Sequence, residues 1–336
     1  MTPRAGKRVA IIGGGAWGTA LACAARRAAA SVVIWSRNPS VVADIEGNHE
    51  NSRYLPGVTL EHAITASTDL EQSVRDAALV LLVVPAQQVR GLARALAAAR
   101  CAAPVVICAK GIEQETGLLL HQVLQQELPG VEIAVLSGPT FAMEVAQGLP
   151  AAVTVAAASD AVAAMIVATL GRPEFRPYTS NDRVGVEVCG AVKNVLAIAC
   201  GIVIGRKLGE NAQAALLSRG LMEIRRLIDL FGGNVETALG LSGIGDLSLT
   251  CNSLKSRNTS LGFELGQGRL AAALLSNRGV VTEGVWTALA LAGIAKRAGL
   301  SLPVCEIVAE IVTGSITIND AIRKSIQRSF KSELTM

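Results

Sequence analysis

The N-terminal segment reads Lys7-Arg-Val-Ala-Ile-Ile-Gly13-Gly-Gly15-Ala-Trp17-Gly18, a short apolar run that leads directly into a glycine-rich turn. The run predicts a buried strand, and the glycines match the spacing G-x-G-x-x-G. In that pattern Gly13 permits a tight turn, Gly15 lets the backbone approach a phosphate, and Gly18 lets the next helix pack on the sheet. A helix predicted over Thr19 to Arg27 would direct its free N–H groups at the phosphates of a dinucleotide.

Two other interpretations of this segment compete with dinucleotide binding. The uncharged run between Arg8 and Arg26 resembles a signal peptide or lipoprotein anchor in length and flanks. Three consecutive glycines inside it and two arginines just after it argue against membrane insertion. The other alternative is an ordinary glycine-rich turn without a ligand. The apolar run Ser31 to Trp35 stands where the second strand of a βαβ unit belongs, and it favours dinucleotide binding over both.

The composition predicts a globular, soluble protein of two domains, since the chain has 336 residues, of which 51% are hydrophobic and 17% charged. The other long uncharged run, Asn194 to Gly205, is too short to cross a membrane. The net charge is +4 without a basic run interleaved with aromatics, which argues against nucleic-acid binding. Seven scattered cysteines predict reduced thiols in a cytoplasmic protein, and three histidines without ligand spacing predict no metal site.

The order of the remaining patterns predicts the fold class. Continuous apolar runs, typical of a parallel sheet buried on both faces, predict strands over Leu79 to Val84, Val105 to Cys108 and Ile133 to Leu136. Two further strands, over Ala152 to Ala156 and near Phe175 to Tyr178, are expected to complete the sheet. Helical spacing then predicts helices over Val186 to Val203, Asn211 to Leu230, Ser260 to Gln267, Thr282 to Ala298, Pro303 to Val312 and Ile318 to Arg328. We therefore expect an α/β Rossmann-like dinucleotide-binding domain, residues 1–182, and a mainly α-helical domain, residues 183–336.

Three positions suggest chemistry. Arg37 follows the second strand, where an NAD-selective site usually carries an acidic residue, and its guanidinium favours the 2′-phosphate of NADP; a solvated arginine is the alternative. Lys193 lies in an otherwise apolar helix and is either a buried acid–base group of lowered pKa or a lysine that reaches water along its stem. Ser256 is expected to cap a helix beginning near Arg257, which suits a phosphate monoester but also an ordinary helix start.

At this point the chain resembles the NAD(P)-dependent glycerol-3-phosphate dehydrogenases over nearly its whole length. The motifs that carry the resemblance are Gly13-x-Gly15-x-Trp17-Gly18-Thr-Ala-Leu, Arg53-Tyr-Leu-Pro-Gly57, Lys110-Gly111-Ile-Glu113, Ser137-Gly-Pro-Thr-Phe-Ala142-x-Glu144, Ala191-Val-Lys-Asn194, Gly243-x-Gly-Asp246-Leu, Ser256-Arg-Asn258 and Thr282-Glu-Gly284. The resemblance implies an oxidoreductase that interconverts dihydroxyacetone phosphate and sn-glycerol 3-phosphate with NAD(P)H and supplies glycerol 3-phosphate for phospholipid synthesis.

The resemblance also implies roles for individual residues. Lys193 would exchange a proton with the substrate oxygen. The other implied substrate contacts are Lys110, Gly138, Thr140, Asp246, Ser256, Arg257 and Asn258. Besides the glycines of the turn, the implied cofactor contacts are Ala16, Trp17, Arg37, Lys110, Ala142, Arg257, Val281 and Glu283.

The sequence departs from this family at two places and leaves alternatives open. Ala16 stands where many relatives carry serine, and Ile204-Gly205 replaces Asp-Gly, which we expect to alter a loop near the substrate mouth. A β-hydroxyacid dehydrogenase is disfavoured because its motif resembles Lys-x-x-x-Asn, whereas Asn194 directly follows Lys193. A regulator that binds NADPH without turnover is disfavoured because it would not need Lys193, Lys110 and Asp246 together. The oligomeric state stays open, a homodimer included.

Overall fold

The computed structural model describes residues 7–277 and 282–327. Its strands are β1 (Arg8–Ile12), β2 (Ser31–Trp35), β3 (Ile64–Ser67), β4 (Leu79–Leu82), β5 (Val105–Ile107), β6 (Ile133–Ser137), β7 (Ala151–Ala157) and β8 (Phe175–Ser180). In this part of the chain they form an eight-stranded sheet in the order β3-β2-β1-β4-β5-β6-β7-β8. The predicted α/β class of the first half is confirmed.

Strands β1 to β6 pair in parallel, so their carboxyl ends share one edge of the sheet. The expectation of an all-parallel sheet is wrong at β7, which runs antiparallel to β6. The connection between them holds a helix of five residues, Ala142–Ala146, which extends only about 7 Å and does not recross the sheet. The edge strand β3 escaped prediction because its sequence, ITAS, has one fully apolar buried position, Ile64.

Helices cover both faces of this sheet. They are α1 (Ala16–Arg27), α2 (Pro39–Asn48), α3 (Leu70–Val74), α4 (Val89–Ala98), α5 (Leu120–Glu127), α6 (Ala142–Ala146) and α7 (Asp160–Leu170). Alternate residues of β1 enter opposite cores: Val9 and Ile11 pack on one side, Ala10 and Ile12 on the other. Burial on both faces explains why these strands are continuously apolar.

The second half is helical, as predicted. Its helices are α8 (Arg183–Gly205), α9 (Glu210–Leu230), α10 (Asp246–Cys251), α11 (Arg257–Gly266), α12 (Ala271–Asn277), α13 (Glu283–Ala298), α14 (Pro303–Val312) and α15 (Ile318–Ile326). The short helices α10 and α12 were not predicted, because six or seven residues carry too little periodicity. The predicted end of the last helix, Arg328, lies outside the described residues.

The glycine-rich turn shows why each of its three spaced glycines is there. Gly13 has a φ of 129°, and an added Cβ at Gly18 would lie 1.9 Å from the carbonyl oxygen of Gly13. An added Cβ at Gly15 would meet no atom within 4 Å. Helix α1 begins at Ala16, three residues earlier than predicted. The space above the turn that precedes it is open.

Helices α8 and α11 touch through their backbones. At Gly201, Gly205, Gly262 and Gly266 an added Cβ would lie within 2.6 Å of a backbone oxygen of the other helix. Gly262 approaches Ile198 and Gly266 approaches Ile202, so the two helices run in the same direction. The start of α11 therefore lies beside the middle of α8.

Among the described helices, α8 has the length and apolar composition to cross a membrane. Its uncharged run is short, as the sequence showed, but the helix has 23 residues. However, 89% of its most apolar window is buried inside the protein. Burial identifies α8 as the core helix of the second half, around which the other helices pack.

Candidate active site

Asp246, the first residue of α10, lies between two lysines and is fully buried. Its Oδ1 is 2.8 Å from Lys193 Nζ, and its Oδ2 is 2.6 Å from Lys110 Nζ. Burial alone would raise the pKa of Asp246, but the charges of both lysines and their hydrogen bonds outweigh burial and hold this pKa below its usual value. Since Lys110 follows β5 and Lys193 lies in α8, the two halves of the chain meet at one carboxylate.

Lys193 does not reach out to water: the residue is 7% exposed, and its Nζ also donates to Thr250 Oγ1 at 2.9 Å. Burial, assisted by the charge of Lys110 and opposed by Asp246, lowers the pKa of Lys193 to about 8. A lysine of this pKa is mainly protonated at pH 7 and can still release its proton, which suits a general acid–base group. Thr250 was not among the predicted site residues, because its i, i+4 relation to Asp246 depends on α10, a helix that the sequence did not predict.

A pair of asparagines connects this centre to two other helices. Asn258 Nδ2 donates to Asn194 Oδ1 at 3.0 Å, and Asn258 Oδ1 accepts from the N–H of Gly284 at 3.1 Å. Asn194 Nδ2 in turn lies 3.5 Å from the carbonyl oxygen of Lys110. The side chain of Asn258 is therefore largely committed to the protein, which leaves its backbone N–H and one amide hydrogen for a ligand.

Ser256 caps α11 as predicted, since its Oγ accepts from the N–H of Thr259 at 3.3 Å. Arg257 is exposed and begins the helix. Lys255 Nζ lies 3.2 Å from Glu144 Oε1, so a contact at the rim joins the start of α11 to α6. Two cationic residues, a capped helix start and an amide thus occur together, as the sequence pattern indicated.

The loop after β6 forms the facing wall. Lys110 Nζ donates to the carbonyl oxygen of Gly138 at 3.3 Å, and Thr140 Oγ1 donates to the same oxygen at 3.2 Å. Ala142 then begins α6, whose carboxyl end is held by Arg27 through its bond to Ala146 O at 3.0 Å. Gly138 and Thr140 are therefore placed beside the lysine–aspartate centre.

The residues expected at a cofactor spread along the carboxyl edge of the sheet. Arg37 is exposed beyond β2, three strand spacings or about 14 Å from β5 and Lys110. At the Lys110 end, Glu283 Oε1 accepts from the N–H of Ala86 at 3.2 Å, while its Oε2 is buried without a partner among the described residues. Burial raises the pKa of Glu283 to about 7, opposed by the Ala86 N–H and the charge of Arg257. Val281 lies outside the described residues.

Features of the turn and of Glu283 fit a dinucleotide. The space above Gly15 is open, the N-terminus of α1 faces it, and the free oxygen of Glu283 offers a buried acceptor at the far end. Over residues 7–277 and 282–327, no group of three or more His, Cys, Asp or Glu side chains could hold a metal ion.

Just beyond the departure at Ile204, Gln213 donates to the carbonyl of Cys251 and to Asn252 Oδ1, beside the loop that leads to Ser256.

Comparison with known proteins gives one consistent result. Residues 8–163 match a family model described as the N-terminus of NAD-dependent glycerol-3-phosphate dehydrogenase, and residues 182–323 match its C-terminus. The chain is 48% identical to a glycerol-3-phosphate dehydrogenase [NAD(P)+] of Parvibaculum lavamentivorans, over 97% of this chain and 98% of that protein. The corresponding protein of Rhodospirillum rubrum is 50% identical over 97% and 93%. A crystal structure of glycerol-3-phosphate dehydrogenase from Coxiella burnetii, 35% identical, superposes with a TM-score of 0.92 over 97% of this chain and all of that one.

Proposed function

Because the chain belongs to the NAD-dependent glycerol-3-phosphate dehydrogenase family, we propose that it interconverts dihydroxyacetone phosphate and sn-glycerol 3-phosphate with NADPH or NADH. The observation that carries this function is the buried Lys193–Asp246–Lys110 cluster at the carboxyl edge of the sheet. The resident cofactor supplies or accepts the hydride when it is bound. Residues 1–182 would bind the cofactor, and residues 183–336 would carry most of the substrate site.

Lys193 is the proton donor during reduction and the acceptor during oxidation. As an ammonium group it polarises the C2 carbonyl and protonates the developing alkoxide, and its lowered pKa makes it a readier proton donor. Because this pKa of about 8 still lies above 7, the amine regains a proton from solvent at neutral pH. Asp246 orients the ammonium group of Lys193, and Lys110 adds positive charge near the substrate oxygen on which negative charge develops. Thr250 accepts from Lys193 and fixes the direction of its remaining hydrogens.

The phosphate of the substrate binds at the start of α11. Ser256 caps this ten-residue helix, and Arg257 and the backbone N–H of Asn258 supply further donors. Gly138 and Thr140 close the site from the opposite wall. Three anionic oxygens on a monoester match this set of donors better than a carboxylate would, which favours a phosphorylated substrate over a simple hydroxy acid.

The cofactor would extend from the turn at Gly13, Gly15 and Gly18 towards Glu283, with Ala16 and Trp17 at the pyrophosphate. Arg37 stands at the adenine ribose end and favours NADPH over NADH. Ala142, Lys110 and Arg257 would border the nicotinamide end. The cofactor contact that the resemblance implies for Val281 remains part of this proposal.

The Arg37→Ala substitution is expected to remove this preference. A charge-assisted bond to a 2′-phosphate is worth roughly 1.5–3 kcal/mol, so kcat/KM for NADPH should fall about 10- to 100-fold while that for NADH changes little. Steady-state rates with each cofactor measure the ratio. Arg176→Ala, an exposed arginine that stacks on Tyr178 at the opposite edge of the sheet, is the matched control. Equal losses with both cofactors would show that Arg37 does not read the 2′-phosphate.

The activity is tested by the absorbance of NADPH, and separately of NADH, after addition of dihydroxyacetone phosphate to the purified protein. Oxidation that depends on this substrate, with glycerol 3-phosphate as product, supports the proposal. If both cofactors bind but neither is oxidised, the chain acts as a sensor of NADPH instead. We place the reaction in the cytoplasm, as a source of glycerol 3-phosphate for phospholipid synthesis, and we expect a homodimer, which light scattering would test.

A further inference from the structure

The segment Asn51 to Gly57 contains a motif that neither substrate nor cofactor contacts account for. Most of its residues are exposed, yet it is firmly held. Asp44 Oδ2 accepts at 2.8 Å from both the N–H and the hydroxyl of Ser52, and Glu50 Oε1 accepts from the N–H of Gly57 at 2.7 Å. Leu55 is 3% exposed in the core. A surface loop anchored at so many points can hold one side chain in a fixed direction.

That side chain is Asn51, which is fully buried and reaches the glycine-rich turn. Its Nδ2 donates to the carbonyl oxygen of Gly14 at 2.9 Å and to Thr19 Oγ1 at 2.8 Å. The Thr19 hydroxyl then donates to the carbonyl oxygen of Gly15 at 2.9 Å. Two consecutive carbonyls of the turn are thus held from the same side.

Because the peptide bond is planar, bonds to the carbonyls of the turn also fix the direction of the N–H groups in the same peptide planes. In a trans peptide the N–H points away from the carbonyl of the same plane. With the carbonyls of Gly14 and Gly15 bonded inwards, the N–H groups of Gly15 and Ala16 point outwards. Beside them the space is open, since an added Cβ at Gly15 would meet no atom within 4 Å.

The amide of Asn51 has only one orientation that satisfies the turn. The Gly14 carbonyl can only accept, so the NH2 group must face it. As a result Oδ1 is left buried without a partner among the described residues. An unsatisfied acceptor is normally avoided, which indicates that this residue is kept for its two donors.

We propose that Asn51 is a positioning residue for the dinucleotide: through Gly14 and the Thr19 hydroxyl it orients the backbone N–H groups that receive the pyrophosphate. This inference rests on the proposed function, since it presumes that a dinucleotide binds at the turn. It assigns to the loop of residues 51–57 the task of fixing the turn before the ligand arrives, which lowers the ordering cost of binding.

The test measures binding of NADPH to Asn51→Asp without any substrate, by the change in cofactor fluorescence. The substitution keeps the shape but sets a carboxylate oxygen against the Gly14 carbonyl, so the dissociation constant should rise tenfold or more. The KM for dihydroxyacetone phosphate and the kcat at saturating NADPH should stay within about twofold, because the lysine–aspartate centre is untouched. Thr19→Val should weaken NADPH in the same direction, and Thr19→Ser, which retains the hydroxyl, should bind more tightly than Thr19→Val.

Thr169→Val is the matched control. It removes a buried hydroxyl of the same domain that donates to the carbonyl of Met165, far along the chain from the turn. Its melting temperature shows what the loss of one buried bond does by itself. Unchanged NADPH affinity in Asn51→Asp, or a parallel rise in the KM for dihydroxyacetone phosphate, would overturn the proposal. If the wild-type protein binds neither dinucleotide, the proposed function fails first, and the two failures are distinct.

Discussion

Lys193→Ala is expected to lose at least about 10²- to 10⁴-fold in kcat for reduction of dihydroxyacetone phosphate, the range that a general acid contributes. The loss follows from the position of its Nζ, which Asp246 Oδ1 holds at 2.8 Å as the proposed proton donor to the substrate oxygen. Rates at saturating substrate and NADPH measure it. NADPH affinity should remain within a few-fold, because the turn and α1 are unaffected.

Lys296→Ala, an exposed lysine on α13, is the control for loss of a positive charge. It should retain the full rate. Retention of the wild-type rate in Lys193→Ala would remove this residue from the mechanism and leave Lys110 as the remaining candidate.

The pH dependence of the same reaction follows from the pKa of Lys193. Reduction needs Lys193 in its protonated form, which predominates at pH values below its pKa of about 8 and is lost as the pH rises above that value. We therefore expect kcat/KM for dihydroxyacetone phosphate to fall above pH 8, by about tenfold per pH unit, and oxidation of glycerol 3-phosphate to increase up to that pH. If the alkaline decrease in rate persists in Lys193→Ala, it reports the titration of another group.

Asp246→Asn is expected to have the second large effect, on both activity and stability. The substitution leaves the buried Lys193 and the half-buried Lys110 beside each other without a counter-charge. Breaking a buried ion pair in this way costs about 3–5 kcal/mol of unfolding free energy. Because Asp246 raises the pKa of Lys193, its removal should also move the alkaline limb of the rate profile below pH 8. Denaturant unfolding and the pH–rate profile measure the two effects.

Two further variants separate charge from packing. Asp320→Asn removes an exposed carboxylate near Arg323 and should change the unfolding free energy by less than about 1 kcal/mol. The double variant Asp246→Asn with Lys110→Met should recover part of the lost stability, since one uncompensated cation is gone, but not the activity. Full stability in Asp246→Asn alone would mean that the lysines are neutral in the folded protein.

The sequence was sufficient for features that depend on local pattern. The turn at Gly13 to Gly18 was predictable because only glycine tolerates a φ of 129° at one position and a 1.9 Å approach at another. The burial of Lys193 could be posed only as one of two alternatives, since a helix pattern does not show what packs against a side chain. The contact with Asp246, 53 residues away, decides between them.

What escaped prediction depends on contacts distant in sequence or on short elements. Thr250 lies in a six-residue helix, and the antiparallel β7 depends on how far a connection of 13 residues extends between Ser137 and Ala151. Asn51 lies two residues before the motif Arg53 to Gly57 and was assigned no role from the sequence, because its bond to Gly14 spans 37 residues. Such pairings follow from the packing of the whole domain and leave no periodic trace.

The backbone contact between α8 and α11 fixes the distance between these two helices. One helix carries Lys193, which we propose acts at the carbonyl, and the other begins at the proposed phosphate site. With glycine backbones already touching, neither helix can move closer, and larger residues at those glycines would force them apart. The span from carbonyl to phosphate is therefore set by main-chain atoms, so a substrate one carbon longer or shorter between those groups could engage only one of its two ends. Chain-length selection in this enzyme would thus reside in four glycines that never touch the substrate.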